Sequence, residues 1–222
     1  MTATLPQLWL LDLRAYQETS RWRTLLPGLP PERQRRALAC RWEIDGARLA
    51  CAGFLLQQTL ASAGIPISDQ VFTKNEWGKP RLVSNAVDFS LSHAGNFCVC
   101  ALDSSPLGVD VELPRISMAV AARCFHPDEA AFLQTLPEEA QKDALLRLWT
   151  AKESYLKYLG RGLRVPLDSS VSMKTAPACR RPARLPPFAC TNTRTTAAAS
   201  ACAPKAPARR FNSINRNKAA AG

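Results

Sequence analysis

The chain has 222 residues, of which 46% are hydrophobic and 21% charged, and its formal net charge is +11. This composition is typical of a globular protein with one large or two small domains, and it excludes a collagen, a coiled coil and a wholly disordered chain. The charge is unevenly distributed: residues 1–165 carry 19 basic and 17 acidic residues, whereas residues 166–222 carry 10 basic residues and one acidic residue.

The first hundred residues predict strands and helices in alternation. The apolar run at residues 8–13 predicts a first strand. The pattern that opens at Pro31 predicts one helix to about residue 63, with Gly64 as a plausible stop, because apolar residues recur at three- and four-residue steps. Residues 71–73 predict a short strand before a polar turn at 75–80, and residues 89–92 and 97–102 predict two strands joined by a turn.

The next segment predicts one more strand and two more helices. Residues 107–113 predict the strand. Pro127 suits the first turn of a helix that runs to residue 136, and a second helix runs from residue 137 to 159, where Gly160 and Gly162 end it. Because strands and helices alternate, the sequence predicts an α+β or α/β protein.

The last 57 residues differ from the rest in composition. They hold 7 of the 17 prolines and 14 alanines but only two aromatic residues. High net charge with many prolines and few aromatics is typical of disorder, so a disordered basic tail is one prediction. Because Ala, Pro and Arg codons are rich in G and C, a change of reading frame near Lys174 is the other.

The sequence contains neither an apolar run that approaches 18 residues nor a signal-peptide pattern at its start, which predicts a cytoplasmic protein without a membrane span. The eight cysteines include no CxxC pair, and only two histidines are present, so a structural zinc site is not expected. Four cysteines are interpreted as small buried apolar residues in a reducing compartment: Cys40, Cys51, Cys98 and Cys100.

An acidic strand is the first candidate for chemistry. Residues 108–112 read GVDVE, and alternate side chains of a strand share a face, so Asp110 and Glu112 project together while Val109 and Val111 face the other way. Two neighbouring carboxylates repel each other unless a cation lies between them, and hard oxygen ligands suit Mg²⁺. The alternative is an edge strand with two solvated carboxylates.

Three further segments offer charged groups that each have an ordinary alternative. On the second predicted helix, Glu153 and Lys157 lie one turn apart, which suits either a site or a surface ion pair. His93, after Ser92 at a strand end, suits a turn cap or a contact with an anionic ligand. Lys79 lies in a GKP turn that could be no more than a turn with an exposed lysine.

Taken in order, the segments GKP, FSLSH, GVDVE and WTAKESYLKYLGRGL resemble the 4′-phosphopantetheinyl transferase superfamily, in particular its surfactin-synthetase-activating type. The resemblance covers roughly residues 32–172. It implies an α+β fold in which two similar halves pack as a pseudo-dimer with coenzyme A (CoA) in the cleft between them. The halves are expected at 1–104 and 105–174, with the second half incomplete and the basic tail at 175–222.

The resemblance also implies roles for the acidic residues and one lysine. It assigns Asp110, Glu112 and Glu153 to Mg²⁺, and Lys157 to the CoA pyrophosphate. Glu129 matches an acidic position near the metal that helps activate the nucleophile.

The resemblance implies that the remaining matched residues face the nucleotide end of CoA. The resemblance implies that His93 and Lys152 contact the 3′-phosphate and that Ser92 contacts the coenzyme. Lys79 and Arg48 match basic residues that grip the phosphates. Arg supplies a bidentate fork and Lys a point charge, so these residue types suit a ligand that carries several negative charges.

The reaction implied is attack by a serine hydroxyl of an acyl- or peptidyl-carrier protein on the β-phosphate of CoA, which releases adenosine 3′,5′-bisphosphate. Glu153, Glu129 or a metal-bound water is expected to take the serine proton. The resemblance also implies a monomer.

Two alternatives accompany this interpretation. The altered C-terminus could leave a catalytically impaired protein that only binds CoA or a carrier protein. The basic tail could instead bind nucleic acid through phosphate contacts, although the tail has few aromatic residues for base stacking.

Overall fold

A computed structural model describes residues 7–168 and three short strands in the segment that follows. The strands are β1 (Gln7–Asp12), β2 (Phe72–Lys74), β3 (Pro80–Leu82), β4 (Asp88–Ala94), β5 (Phe97–Asp103), β6 (Gly108–Glu112), β7 (Cys179–Arg180), β8 (Ala198–Cys202) and β9 (Phe211–Ser213). The α-helices are α1 (Arg14–Gln17), α2 (Pro31–Leu38), α3 (Glu43–Ser62), α4 (Met118–Cys124), α5 (Pro127–Thr135) and α6 (Glu138–Leu159), and a 3₁₀ segment spans Glu18–Gly28. The protein is therefore of the α+β class.

A four-stranded sheet and a long helix form the first core. The sheet has the order β4-β5-β1-β9, in which β5 pairs antiparallel with both β4 and β1, and β9 pairs parallel with β1. Helix α3 packs on this sheet and buries one face, including Leu55 and Leu60, against strand residues such as Phe89 and Leu102. The predicted strands at 8–13, 89–92 and 97–102 are confirmed within one or two residues.

The single helix predicted for residues 31–63 is wrong, because the chain forms α2 and α3 with a break at residues 39–42. Leu38 and Trp42 fit the apolar periodicity, yet they are 54% and 60% exposed. The break lets α2 fold back on α3, where Arg33 of α2 donates to the carbonyl oxygen of Leu49 at 3.3 Å. Packing between the two helices replaces the continuation of one.

The second core forms around β6 and α6. Strand β6 pairs antiparallel with β8, which also pairs with β7, and α6 packs across β6. Gly108 allows this packing, because a Cβ atom there would lie 2.0 Å from the carbonyl oxygen of Ser154 on α6. Helix α6 ends at Gly160, which adopts a left-handed conformation with φ of 65°, so the predicted glycine stop is confirmed.

Several elements have no counterpart in the sequence predictions: α1, the 3₁₀ segment, β3 and α4. Among the cysteines, Cys51, Cys98 and Cys100 are buried free thiols as predicted, whereas Cys40 is only half-buried. Burial raises the pKa of Cys98 and of Cys100 to about 12, so both thiols stay protonated at neutral pH. In the part of the chain that the structure describes, no helix is long and apolar enough to cross a membrane.

Candidate active site

The carboxylate of Asp110 lies at the meeting point of β4, β6 and α6. Asp110 is only 3% exposed. Oδ1 accepts a hydrogen bond from the hydroxyl of Ser92 at 2.7 Å and another from the ammonium of Lys157 at 2.7 Å. Lys157 also donates to the Ser92 hydroxyl at 2.7 Å. Three residues predicted from separate motifs are thus brought into one hydrogen-bonded group.

Strand alternation gives Asp110 this position. Val109 and Val111 belong to an apolar cluster with Val99 and Ala101 of β5, which fixes that face of β6 against the sheet. The intervening side chain of Asp110 therefore points the other way, toward α6. The predicted alternation along residues 108–112 is confirmed.

Glu112 and Glu153 complete an acidic group around Asp110. Desolvation raises the pKa of Glu112 and of Glu153 above the ordinary glutamate value, and the negative charge of Asp110 raises both further. Glu112 adds to the shift at Glu153. Mutual repulsion of this kind favours a bound cation, because a cation would lower the energy of all three ionised carboxylates.

The three carboxylates of the acidic group are of the chemical type that binds a divalent metal ion. Their oxygens are not gathered around one point in this structure. Within residues 7–168 and the three short strands, no group of three His, Cys, Asp or Glu side chains is close enough to hold a metal as it stands. Lys157 supplies the positive charge beside Asp110. The second oxygen of Asp110, Oδ2, is buried and has no hydrogen-bond partner, so an oxygen ligand for a hard cation is available there.

Arg48 and His93 form a basic pair at the end of β4. The guanidinium of Arg48 donates to the carbonyl oxygen of Gly95 through Nε and Nη2 and pairs with Asp45 at 2.8 Å. Desolvation lowers the pKa of His93, and the positive charges of Arg48 and Lys157 lower it further. The imidazole is therefore neutral near pH 7 and would gain a proton beside an anion.

The ammonium of Lys79 already has two partners within the protein. Its ammonium pairs with Asp88 at 2.9 Å and donates to the carbonyl oxygen of Leu107 at 3.0 Å, and its side chain is 10% exposed. Its predicted contact with a CoA phosphate stays a prediction.

Lys152 and Glu129 form an ion pair with each other. The ammonium of Lys152 lies 2.7 Å from Oε2 of Glu129, donates to the carbonyl oxygen of Leu167 at 2.8 Å and faces the ring of Phe125. Lys152 is 1% exposed. The roles predicted for this pair, at the 3′-phosphate and near the metal, are likewise not tested by this geometry.

A cavity of about 340 Å³ adjoins the acidic group. Glu153 and Lys157 of α6 contribute to its wall, together with residues 77–80 of the turn and residues 89–91 of β4. Sequence reasoning missed Trp77, Leu91 and Leu156 in this lining, because nothing in their local pattern distinguishes a cavity wall from an ordinary core. It also missed Asn75 and Asp88, whose role depends on partners distant in sequence.

The fold and the site define an α+β protein with carboxylates, a lysine and a basic pair arranged around one cleft. A family model described as the 4′-phosphopantetheinyl transferase superfamily matches residues 106–205. That match includes β6, α6 and the acidic residues just described.

Comparison with curated proteins gives the same family. The chain is 33% identical over 158 residues to the 4′-phosphopantetheinyl transferase ffp of Bacillus subtilis, covering 69% of this chain and 68% of that protein. It is 38% identical over 127 residues to the transferase gsp of Aneurinibacillus migulanus, covering 56% and 53%, and 32% identical over 145 residues to Sfp of Bacillus subtilis strain 168, covering 64% of each. The chain belongs to the 4′-phosphopantetheinyl transferase superfamily. It spans between about half and two thirds of the length of gsp and Sfp.

Proposed function

We propose that the protein transfers the 4′-phosphopantetheine group of CoA to a serine of an acyl- or peptidyl-carrier protein and releases adenosine 3′,5′-bisphosphate. The observation that carries the proposal is the group formed by Asp110, Ser92 and Lys157, with Glu112 and Glu153 beside it. The names of gsp, ffp and Sfp, all 4′-phosphopantetheinyl transferases, support it.

Magnesium is the proposed metal, held by Asp110, Glu112 and Glu153. The buried, unpartnered oxygen of Asp110 and the raised pKa values of the two glutamates support this assignment. When bound, Mg²⁺ supplies positive charge at the pyrophosphate, where negative charge develops as the leaving group departs.

Lys157 and the basic pair are proposed to bind the phosphates. The ammonium of Lys157, whose side chain is 31% exposed, can reach a pyrophosphate oxygen while it stays near Asp110. His93 and Arg48 are proposed at the 3′-phosphate, with Ser92 between the two regions. Charges placed in advance around the reacting phosphate stabilise the transition state without reorganisation.

The transfer forms a bond between the carrier serine oxygen and the β-phosphorus of CoA, and breaks the bond between that phosphorus and the bridging oxygen. The electron pair of the broken bond stays on adenosine 3′,5′-bisphosphate. Of the two carboxylates predicted as the base, Glu153 suits the task better, because it lines the cavity beside Lys157. Glu129 is less available as the base, since its carboxylate is paired with the ammonium of Lys152.

We also propose that the fold is the pseudo-dimer implied by the resemblance, with a first half at 1–104. Each half would then contain an antiparallel sheet with one long helix across it, which matches the packing of α3 on the β1–β5 sheet and of α6 on β6. A monomer that acts in the cytoplasm, where CoA and carrier proteins are found, completes the proposal.

Intact mass spectrometry of a carrier protein tests the proposed function. The protein is incubated with CoA, Mg²⁺ and an apo-carrier, and the expected result is a carrier that gains the mass of one phosphopantetheine. A carrier with its acceptor serine replaced by alanine is the control. CoA binding measured by calorimetry without any mass gain would support the alternative of a catalytically impaired binder.

A further inference from the structure

The turn at residues 75–80 contacts both elements that carry the acidic group. Asn75 arranges the turn, because its Oδ1 accepts hydrogen bonds from the backbone N–H groups of Trp77 at 3.0 Å and Lys79 at 2.8 Å. Its Nδ2 reaches out of the turn and donates to the carbonyl oxygen of Gly160 at 2.8 Å. One asparagine therefore joins the turn to the end of α6.

Lys79 joins the same turn to the start of β6. Its ammonium donates to Asp88 at 2.9 Å and to the carbonyl oxygen of Leu107 at 3.0 Å. Asp88 in turn accepts from the backbone N–H of Leu107 at 2.8 Å. Lys79, Asp88 and the backbone N–H and C=O of Leu107 thus form a closed ring of three hydrogen bonds directly before Gly108, the first residue of β6.

The ring is largely buried in the ligand-free protein. The side chains of Lys79 and Asp88 are 10% and 17% exposed. Moving the ammonium to a ligand phosphate would leave Asp88 as a largely buried carboxylate without its cation, which is strongly unfavourable. Gly160 also lies against the turn, since a Cβ atom there would be 2.9 Å from Cδ of Lys79.

We propose that Lys79, Asp88 and Asn75 are positioning residues that set the distance between β6, which carries Asp110, and α6, which carries Glu153. Lys79 then acts on the site through its ion pair with Asp88. The inference rests on the proposed function for its kinetic consequence, but its structural consequence is independent of catalysis.

Hydrogen exchange of the ligand-free full chain tests the structural consequence. Lys79→Met and, separately, Asp88→Asn are compared with the wild type and with Lys74→Met, a control in which an exposed lysine with a 3.9 Å ion pair is lost. Both ring variants should exchange faster at residues 104–112, while Lys74→Met should not. Unchanged exchange in Lys79→Met or in Asp88→Asn would overturn the proposal, and this readout does not depend on transferase activity.

Kinetics with CoA and 3′-dephospho-CoA separates positioning from phosphate binding. Lys79→Met removes a supporting contact and should lower kcat about 10- to 100-fold with both substrates. Asp88→Asn should show a similar loss. The double variant should be no slower than either single variant, because both remove the same ion pair. If Lys79→Met raised KM for CoA alone while Asp88→Asn had wild-type kinetics, Lys79 would be a 3′-phosphate contact and the proposal would be wrong. Should Lys79→Met fail to fold, the isosteric Asp88→Asn carries both comparisons.

Discussion

Among single residues, Asp110 has the most demanding environment. It is buried, it accepts from both Ser92 and Lys157 through one oxygen, and its other oxygen has no partner. A carboxylate in this setting suits cation binding better than it serves stability, since an unsatisfied buried oxygen costs free energy.

We expect Asp110→Asn to lose Mg²⁺ binding and to lower the transfer rate by about 100-fold or more, because an amide oxygen is a neutral and weaker ligand. Calorimetric titration with Mg²⁺ measures the first effect and the carrier-mass assay the second. Asp103→Asn is the matched control, at another buried aspartate whose side-chain hydrogen bonds, among the residues that the structure describes, come from its neighbour Ser104. Retained Mg²⁺ affinity in Asp110→Asn would contradict the metal assignment.

His93 gives the site a pH dependence of predictable sign. Desolvation, Arg48 and Lys157 lower its pKa below the ordinary 6.5, so the ligand-free imidazole is neutral at pH 7. A bound phosphate raises this pKa, and binding therefore takes up a proton. CoA affinity should fall as pH rises from the lowered free-state pKa through the bound-state pKa, by up to about ten-fold per pH unit.

Calorimetry in buffers of different ionisation enthalpy measures this proton uptake directly. His93→Gln should bind CoA without the proton uptake, and 3′-dephospho-CoA should bind the wild type without it. Proton uptake that persists in His93→Gln would show that another group titrates.

Strand and helix patterns predicted which side chains share a face, and the family resemblance predicted that Asp110, Ser92 and Lys157 face one ligand. Alternation along residues 108–112 placed Asp110 opposite the valines, and helical spacing placed Glu153 and Lys157 one turn apart. The partners of Lys79 and Lys152 could not be predicted, because Asp88 and Glu129 are brought to them by tertiary packing. The local sequence around either lysine fits a phosphate contact as well as it fits the observed ion pair.

Among the elements, the contact between β6 and α6 decides the geometry of the acidic group. The strand and the helix come closest at Gly108. A Cβ atom at this position would lie 2.0 Å from the carbonyl oxygen of Ser154 and 2.4 Å from the backbone nitrogen of Tyr158. Both are backbone atoms and cannot rotate away, so any side chain there must push the strand from the helix.

Gly108→Ala should therefore lower the free energy of unfolding by about 1–3 kcal/mol and reduce transfer. Urea unfolding followed by circular dichroism provides the measurement. Gly28→Ala is the control, because a Cβ atom at this position would meet no described atom within 4 Å apart from those of its own local backbone. Equal stability of the two variants would mean that α6 does not pack on β6 as closely as described.

Elements with strong local signals were predictable. Pro127 and the glycine at 160 gave the limits of α5 and α6 to within a residue. The break at residues 39–42 was not predictable, because no glycine or proline interrupts the helical pattern there and the cause is the packing of α2 on α3. Strand β3 and helix α4 are short elements whose formation depends on neighbours, so their local patterns carry little signal.

At the scale of the whole molecule, the net charge of +11 separates into two regions. Residues 1–165, with 19 basic and 17 acidic residues, contain every residue of the proposed site, and residues 166–222 carry most of the excess. The site therefore uses a few placed cations and not a general basic surface. This distribution favours a phosphate-bearing small molecule over nucleic acid as the ligand.

The frame change near Lys174 stays a prediction. The family match continues to residue 205, and β8 within that stretch pairs with β6, while the composition changes sharply from about residue 175. Resequencing the gene around codon 174 measures it: we expect a second frame that encodes alternating apolar residues. A confirmed sequence without such a frame would contradict the prediction and establish a genuine basic tail.

The most direct test of the proposed transferase compares two glutamates of the same helix. Glu153 is half-buried beside Asp110, and Glu139 is exposed in the first turn of α6. With CoA, Mg²⁺ and an apo-carrier, the wild type and Glu139→Gln should add one phosphopantetheine to the carrier serine, and Glu153→Gln should add none in the same time. Transfer by Glu153→Gln at the wild-type rate, or a wild type that binds CoA and leaves the carrier mass unchanged, would contradict the account.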